Sequence, residues 1–220
     1  MMPFEDIHFQ LVDLPAISPE HPVSWLAGAL QTADGCLLVV DLSDPACVER
    51  IEALHAVLRV KRVTLTDRWE PEGGTAREAT DVNEDPFALR LPAVLLANRV
   101  DLLADVDTEL RAFLELAEIR YPAIAVSTIT GWSVGEIGSL LFRKLGIVRV
   151  YTKVPGRPPD RNRPFTLRRG QTVDDVAWLV HKDLARSLKY ARVWGKSGFD
   201  GQHVGRDHPL ADGDVVELHT

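Results

Sequence analysis

Short apolar segments alternate with amphipathic segments along the first two-thirds of the chain, and this alternation restricts the folds open to it. Buried strands are predicted over 36–41, 60–65, 94–97 and 123–126. Amphipathic helices, with apolar residues every three to four positions, are predicted over 23–33, 44–58, 107–119 and 133–145. Continuously apolar strands separated by helices predict a mostly parallel, doubly wound α/β sheet.

Three further features complete the prediction for this part of the chain. Residues 7–12 are predicted to form a strand of the sheet that ends at Asp13. Asp44 is expected to cap the second helix, with Pro45 at its first position. Residues 68–90 are acidic and rich in Gly, Pro and Asp, which predicts a long loop or a marginal helix.

The last third of the chain differs in charge and in pattern. Residues 147–220 contain 13 Lys and Arg against 9 Asp and Glu, a net +4, whereas residues 1–146 carry −11. Such an asymmetry predicts two domains, 1–146 and 147–220. In the second, Thr172-x-x-Asp175 predicts a capped helix over 172–188 that packs on a few short strands, a small α+β fold.

Composition excludes several classes of protein. No apolar run approaches the ~18 residues of a membrane span, and the N-terminus does not resemble a signal peptide. A cytoplasmic protein without a membrane partner is therefore expected. Cys36 and Cys47 are predicted to be free thiols. No Ser-His-Asp set or carboxylate pair points to a catalytic residue.

Polar side chains follow the predicted strands where a parallel sheet binds its ligands, beyond the carboxyl ends. Asp13 could orient water on a Mg²⁺ ion that bridges nucleotide phosphates. Asn98 can bind a purine through its amide, and Asp101 can accept the N1–H and 2-amino donors of guanine. Backbone N–H groups of the turn 127–131 can meet a base carbonyl.

These motifs carry a resemblance to a known family. Gln10–Pro15, Asn98–Asp101 and Ser127–Gly131 resemble the third, fourth and fifth motifs of Obg-like GTPases, closest to the developmentally regulated GTP-binding protein (DRG) group. The resemblance implies GTP or GDP with Mg²⁺ as cofactors and a partial P-loop-type GTPase sheet. The nucleotide-binding residues it implies are Asp13, Ala16, Asn98, Arg99, Asp101, Ser127 and Thr128, with Asp13 as the metal residue.

Residues 147–220 resemble the TGS domain that follows the GTPase domain in that group, a ubiquitin-like β-grasp fold. The matching segments are Arg149–Lys153, Leu167–Gly170, Val193–Ser197, Val204–Gly205, Asp207–His208 and Asp214–Val216. The partner that this resemblance implies is the ribosome or RNA. Lys153, Arg168 and Arg169 are the residues expected to reach a phosphate backbone.

The chain departs from the family pattern at three positions. Ala16 stands where relatives have a glycine whose N–H turns toward the γ-phosphate, and alanine restricts that motion. Ile17 follows, where some GTPases have a water-orienting glutamine. Arg99 replaces the usual lysine, and its planar cation could still cover the nucleotide.

The phosphate-binding motif Gly-x-x-x-x-Gly-Lys-Ser/Thr does not occur in the sequence. Gly195-Lys196-Ser197 resembles its end, but Tyr190 stands in place of the first glycine, so a β-grasp loop is predicted there. Without a P-loop we expect weak or absent nucleotide binding and no hydrolysis. A sheet without its central strand would leave an apolar edge open to self-association. The chain is either a fragment or a relic without a P-loop.

Two functions therefore remain open at this stage. The chain is part of a GTP-binding switch linked to translation or RNA, or it is a nucleotide-independent adaptor whose TGS domain binds RNA or a protein. GTP binding would separate the two.

Overall fold

The fold is described from a computed structural model, which describes residues 1–17, 24–69 and 88–220. These residues form two compact units. One contains residues 1–11 and 138–220, and the other contains residues 12–17, 24–69 and 88–137. The domain boundary expected between residues 146 and 147 stays a prediction.

Eleven strands and six helices form in the described residues. The first half contains β1 (Met2–Phe4), β2 (Ile7–Phe9), α1 (Leu26–Gln31), β3 (Cys36–Asp41), α2 (Cys47–Val60), β4 (Val63–Thr66), β5 (Leu89–Asn98), α3 (Val106–Leu116), β6 (Ala123–Ala125) and α4 (Glu136–Lys144). The second half contains β7 (Ile147–Thr152), β8 (Phe165–Arg168), α5 (Val173–Val180), α6 (Lys182–Ser187), β9 (Tyr190–Trp194), β10 (Gln202–Val204) and β11 (Asp214–His219).

The predicted parallel α/β sheet is present and is organised around β5. Strands β3, β4 and β6 all run parallel to it. Residues Ala93 to Ala97 of β5 are almost fully buried, because apolar residues of β3, α2 and α3 cover them. Among the described residues β3 pairs only with β5, and Val39 on it is 61% exposed. Self-association through this edge stays a prediction.

The strand predicted over 7–12 was wrong in both length and partner. Only Ile7–Phe9 is extended, and it pairs antiparallel with β1, not with the parallel sheet. This antiparallel pair forms because a tight turn at Glu5 and Asp6, where Glu5 has a φ of 50°, reverses the chain between the two strands. Local alternation of apolar and polar residues indicates a strand but does not identify its partner.

The expected cap of α2 also differs from the structure. The helix begins at Cys47, and Ala46 precedes it without a side-chain cap. The Asp44 carboxylate accepts a hydrogen bond from the N–H of Ala46 at 2.9 Å and so closes the turn before the helix. Of the loop predicted over 68–90, residues 70–87 lie outside the described residues, and Leu89 and Arg90 belong to β5.

The second sheet has the strand order β10-β9-β11-β7-β8, in which β11 and β7 are parallel and the other pairs are antiparallel. Helix α5 packs on it, and Val150, Val176, Val193 and Val216 are fully buried between them. The helix, the short strands and the single core agree with the predicted small α+β domain.

The predicted capping box of this domain is confirmed. The Asp175 carboxylate accepts hydrogen bonds from the backbone N–H (2.7 Å) and the hydroxyl (3.0 Å) of Thr172, so an aspartate replaces the usual Glu or Gln. The helix predicted over 172–188 is broken at His181, which has an extended backbone. The His181 Nδ1 accepts the N–H of Asp183 at 3.2 Å and begins α6.

The Gly195-Lys196-Ser197 segment forms a loop between strands, as predicted, and no helix follows it. Its N–H groups point at a carboxylate of the same domain. Asp214, which is fully buried, accepts hydrogen bonds from Lys196 N (2.7 Å), Ser197 N (3.3 Å) and Ala211 N (2.8 Å). These N–H donors are therefore already bound within the fold. No helix among the described residues is long and apolar enough to cross a membrane.

Candidate functional site

The carboxyl ends of β3, β5 and β6 meet at one edge of the parallel sheet. Asp41 pairs in register with Asn98, and Ala97 pairs with Ala125 two residues before Ser127. Because the strands are parallel, the loops that follow them lie side by side. This edge is where open α/β sheets bind ligands.

The loop after β5 makes a sharp turn that presents Asp101. Arg99 has a left-handed backbone (φ 64°), and a single 3₁₀ turn follows over Val100–Leu102. Val100 is buried, and its N–H donates to the carbonyl of Val126 at 3.4 Å, which fixes the turn against the loop after β6. The turn leaves Asp101 at the surface, facing that loop.

The loop after β6 is built around Ser127, which is fully buried. Its hydroxyl donates to Asp101 Oδ1 at 2.5 Å and accepts the N–H of Thr130 at 3.1 Å. Gly131, with a φ of 80°, closes the loop by donating its N–H to the Ser127 carbonyl at 2.9 Å. The serine thus holds both its own loop and the Asp101 carboxylate in place.

A second hydrogen bond joins the same two loops. Asn98 Oδ1 accepts the N–H of Thr128 at 3.3 Å. Within the described residues, Asp101 Oδ2 and the N–H of Ile129 have no hydrogen-bond partner. The structure therefore brings four predicted residues, Asn98, Asp101, Ser127 and Thr128, into one constellation with unused acceptors and donors.

Arg99 is held by a residue that the sequence analysis did not select. Its guanidinium lies 3.1 Å from Asp41 Oδ2 at the end of β3. Hydrogen bonds from the hydroxyl (2.6 Å) and N–H (3.0 Å) of Ser43 lower the pKa of Asp41, and Arg99 lowers it further. The position of Asp41 at the carboxyl end of the strand predicted over 36–41 was the signal that could have identified it.

Asp13 and Ala16 lie outside this constellation, in a segment without regular secondary structure. Both are exposed, while their neighbours Leu14 and Ile17 pack on the apolar cluster around Leu26. No hydrogen bond or ion pair joins Asp13 to the two loops within the described residues. The same residues contain no group of three His, Cys, Asp or Glu able to hold a metal ion.

Two of the three residues expected at a phosphate backbone, Lys153 and Arg168, have side chains that are engaged within the fold, and Arg169 has a backbone hydrogen bond. Lys153 Nζ lies 3.0 Å from Glu217 and 4.0 Å from the centroid of the Trp194 ring. Arg168 donates to the carbonyl of Leu145 at 2.5 Å, and the N–H of Arg169 donates to Gly146 at 2.7 Å. Arg157, Arg161 and Arg163, in the loop after β7, are exposed, as is Arg169, whereas Lys153 and Arg168 are half-buried.

Comparison with known proteins identifies a C-terminal domain and several relatives. The model of the TGS domain matches residues 148–220. A GTP-binding protein of Methanocaldococcus jannaschii is 34% identical over 170 residues, 76% of this chain and 42% of the relative. Ribosome-interacting GTPase 1 of Saccharomyces cerevisiae is 30% identical over 173 residues, 77% of this chain and 44% of the relative.

A third relative carries the name of the group. Developmentally-regulated GTP-binding protein 1 of Xenopus laevis is 27% identical over 175 residues, 77% of this chain and 44% of the relative. The chain thus spans less than half the length of the curated relatives it matches. Residues 148–220 thus form a TGS domain, and over about three quarters of its length the chain is related to GTP-binding proteins of the Obg/DRG type.

Proposed function

We propose that this chain carries the guanine-recognition half of a GTP-binding protein. The single observation that supports this most is the Ser127–Asp101 hydrogen bond, which holds a surface carboxylate with one unused oxygen beside a loop with an unused N–H. Asp101 accepts the N1–H and 2-amino donors of guanine. The N–H of Ile129, or that of Thr128 with its long 3.3 Å bond, donates to the base carbonyl.

Asn98 and Arg99 complete this proposed contact. The Asn98 Nδ2 group donates to a purine ring nitrogen while Oδ1 keeps its bond to Thr128. Arg99, fixed by Asp41, lies beside the base-binding loop as the cation that replaces the usual lysine. Adenine has a lone pair at N1 where guanine has an N–H, so two acceptors would face each other at Asp101 and the hydrogen bond would be lost.

The phosphate side of the site has much weaker support. Asp13 and Ala16 are exposed in their segment, and Asp13 is the residue proposed to orient water on Mg²⁺. Since no group of three His, Cys, Asp or Glu among the described residues could hold a metal ion, we propose that Mg²⁺ enters only with the nucleotide phosphates. No P-loop motif occurs in these 220 residues, so we propose that they do not hydrolyse GTP.

Titration of the 220-residue chain with GDP, GTP and ADP, followed by NMR, tests the proposal. We expect GDP and GTP to shift the amides of the 98–101 and 127–131 loops with a Kd weaker than ~100 µM, about −5.5 kcal/mol. The Kd for ADP, measured on the same amides, should be at least tenfold higher. Equal affinity for ADP would contradict guanine recognition. Micromolar GDP binding would instead show that the guanine half suffices without a phosphate grip.

A link to the ribosome or RNA is the second part of the proposal. It is supported by the name of the yeast relative and by the exposed arginines of the loop after β7, where Arg161 lies 5.8 Å from the centroid of the Tyr151 ring. A cytoplasmic location belongs to the same proposal. Because Lys153 and Arg168 are engaged within the fold, the arginines of this loop are the better sites for a test.

Reversing the charge at Arg161 and Arg163 should weaken RNA binding by the 220-residue chain at least tenfold, since two phosphate contacts are lost. The measurement is fluorescence anisotropy with a labelled single-stranded RNA at two salt concentrations. The control is Arg186→Glu, which makes a charge change of the same kind on α6. Unchanged affinity in the double variant would contradict RNA contact at this loop.

A further inference from the structure

The N-terminal hairpin, β1 and β2, is packed tightly within the unit that contains the TGS domain. Ile7 and Phe9 are 5% and 8% exposed. The Phe4 ring lies 5.5 Å from the ring of Phe142 on α4, measured between centroids. A Cβ atom at Gly138 would lie 2.6 Å from Phe4, so the hairpin approaches α4 as closely as a glycine allows. Apolar packing therefore holds the hairpin against α4.

A group of charged side chains fastens the turn of the same hairpin to β7. Arg149 Nη1 donates to Asp6 Oδ1 at 2.9 Å and also bonds Glu5. Its Nε and Nη2 donate to Asp212 at 2.9 and 2.8 Å, and the Tyr151 hydroxyl donates to Asp6 Oδ2. We call these five residues, Glu5, Asp6, Arg149, Tyr151 and Asp212, the Arg149 clamp.

The clamp is built to stay ionised. The Arg149 side chain is only 16% exposed. Hydrogen bonds from Arg149 lower the pKa of Asp212. Partial burial acts to raise the pKa of Asp6, but hydrogen bonds from Tyr151 and Arg149 outweigh it and lower that pKa. Hydrogen bonds from a largely buried guanidinium to carboxylates are among the strongest polar contacts in proteins, so the hairpin turn has little freedom.

The hairpin is also the start of the segment that holds Asp13. Only Gln10, Leu11 and Val12 separate Phe9 from Asp13, a span of at most ~14 Å when fully extended. The start of this segment is therefore set by a hairpin that is fastened to the β-grasp sheet. Its end is set by Leu14 and Ile17 in the apolar cluster around Leu26.

We propose that the Arg149 clamp is a restraint that couples the TGS domain to the Asp13–Ala16 segment. Arg149, Tyr151 and Asp6 act as positioning residues, because they hold the hairpin and the hairpin holds the segment. A partner that binds the TGS domain and disturbs β7 would loosen the segment. A change of conformation in the segment would in turn strain the hydrogen bonds of the clamp. This coupling does not depend on nucleotide binding.

The test uses the 220-residue chain and two variants that open the clamp differently. Asp6→Asn weakens the hairpin side and leaves the Arg149–Asp212 pair in place, whereas Arg149→Met removes both sides. We expect the hairpin amides of residues 2–9 to exchange with solvent at least tenfold faster in both variants. Backbone ¹⁵N order parameters in residues 10–17 should fall from about 0.85 to below about 0.6.

Two comparisons separate coupling from general instability. Arg206→Met removes the ion pair with Asp174 (2.6 Å) elsewhere in the same domain. It should leave residues 2–17 unchanged. Insertion of four flexible residues after Gln10 should lower the order parameters of residues 12–17 while residues 2–9 stay protected. The proposal is overturned if residues 10–17 stay ordered in both clamp variants and the insertion. It is also overturned if Arg206→Met lowers the order parameters of residues 10–17 as much as the two clamp variants do.

Discussion

Replacement of Gly195 by alanine should destabilise the TGS domain by about 4 kcal/mol, a large part of the stability of a domain of this size. Two causes act together. The backbone of Gly195 has a φ of 141°, which L-residues rarely adopt. A Cβ there would lie 2.3 Å from Asp214 Oδ1 and 3.0 Å from Asp214 Cα, so the buried carboxylate would be pushed away from the N–H groups it binds.

Gly213→Ala is the matched control for this substitution. Gly213 also has a positive φ, 93°, but no atom lies within 4 Å of its added Cβ. It should therefore cost only the conformational part, about 1–2 kcal/mol. Urea unfolding of both variants, with hydrogen exchange of β9–β11 amides to assign the loss to this domain, is the measurement. Equal losses in the two variants would show that the contact with Asp214 does not matter.

Asp101→Asn should change the base preference of the 220-residue chain from guanine toward xanthine. Ser127 donates to Asp101 Oδ1, so an asparagine would keep its oxygen on Ser127 and turn its NH₂ group to the base. That group repels the N1–H and 2-amino donors of guanine but can donate to the C2 carbonyl of xanthine. Loss of a charge-assisted contact of about 1.5–3 kcal/mol corresponds to a roughly ten- to hundredfold weaker GDP complex.

NMR titration with GDP and XDP measures the ratio of the two dissociation constants. Asp105→Asn is the control, because it makes the same charge change close by at the N-cap of α3, where Asp105 accepts the N–H of Thr108. The control should bind GDP as the parent chain does. An unchanged GDP to XDP ratio in Asp101→Asn would remove Asp101 from the proposed site. Loss of all binding with disturbed loop signals would instead point to a structural role.

The convergence of Asn98, Asp101 and Ser127 could be predicted from the sequence because it follows from a local rule. Parallel strands end at one edge, so residues that follow them are neighbours. What the rule does not give is which atoms bond. The Ser127–Asp101 bond and the tie from Arg99 to Asp41 each depend on side-chain directions that no strand pattern records.

The strand over 7–12 was predicted wrongly because apolar alternation does not identify its partner, the adjacent strand β1, and because the polar contacts that hold the hairpin come from a distant residue. Arg149 lies more than 140 residues from Glu5 and Asp6 along the chain. Helical periodicity and the Thr172–Asp175 capping box, by contrast, were predicted well, since their contacts lie within four residues. The break at His181 was missed because a short polar interruption does not disturb an apolar pattern of three to four residues.

The backbone hydrogen bonds to Asp214 affect how such a loop can be identified from an amino-acid sequence. The loop is shaped by main-chain N–H groups and by a carboxylate 17 to 18 residues away, and a Cβ atom at Gly195 would collide with that carboxylate. The side chains of Lys196 and Ser197 make none of the hydrogen bonds to Asp214. A glycine in the loop between β9 and β10, together with an aspartate at the start of β11, is therefore the pair of residues that indicates this loop. We expect substitutions of Lys196 or Ser197 to leave the backbone hydrogen bonds to Asp214 in place.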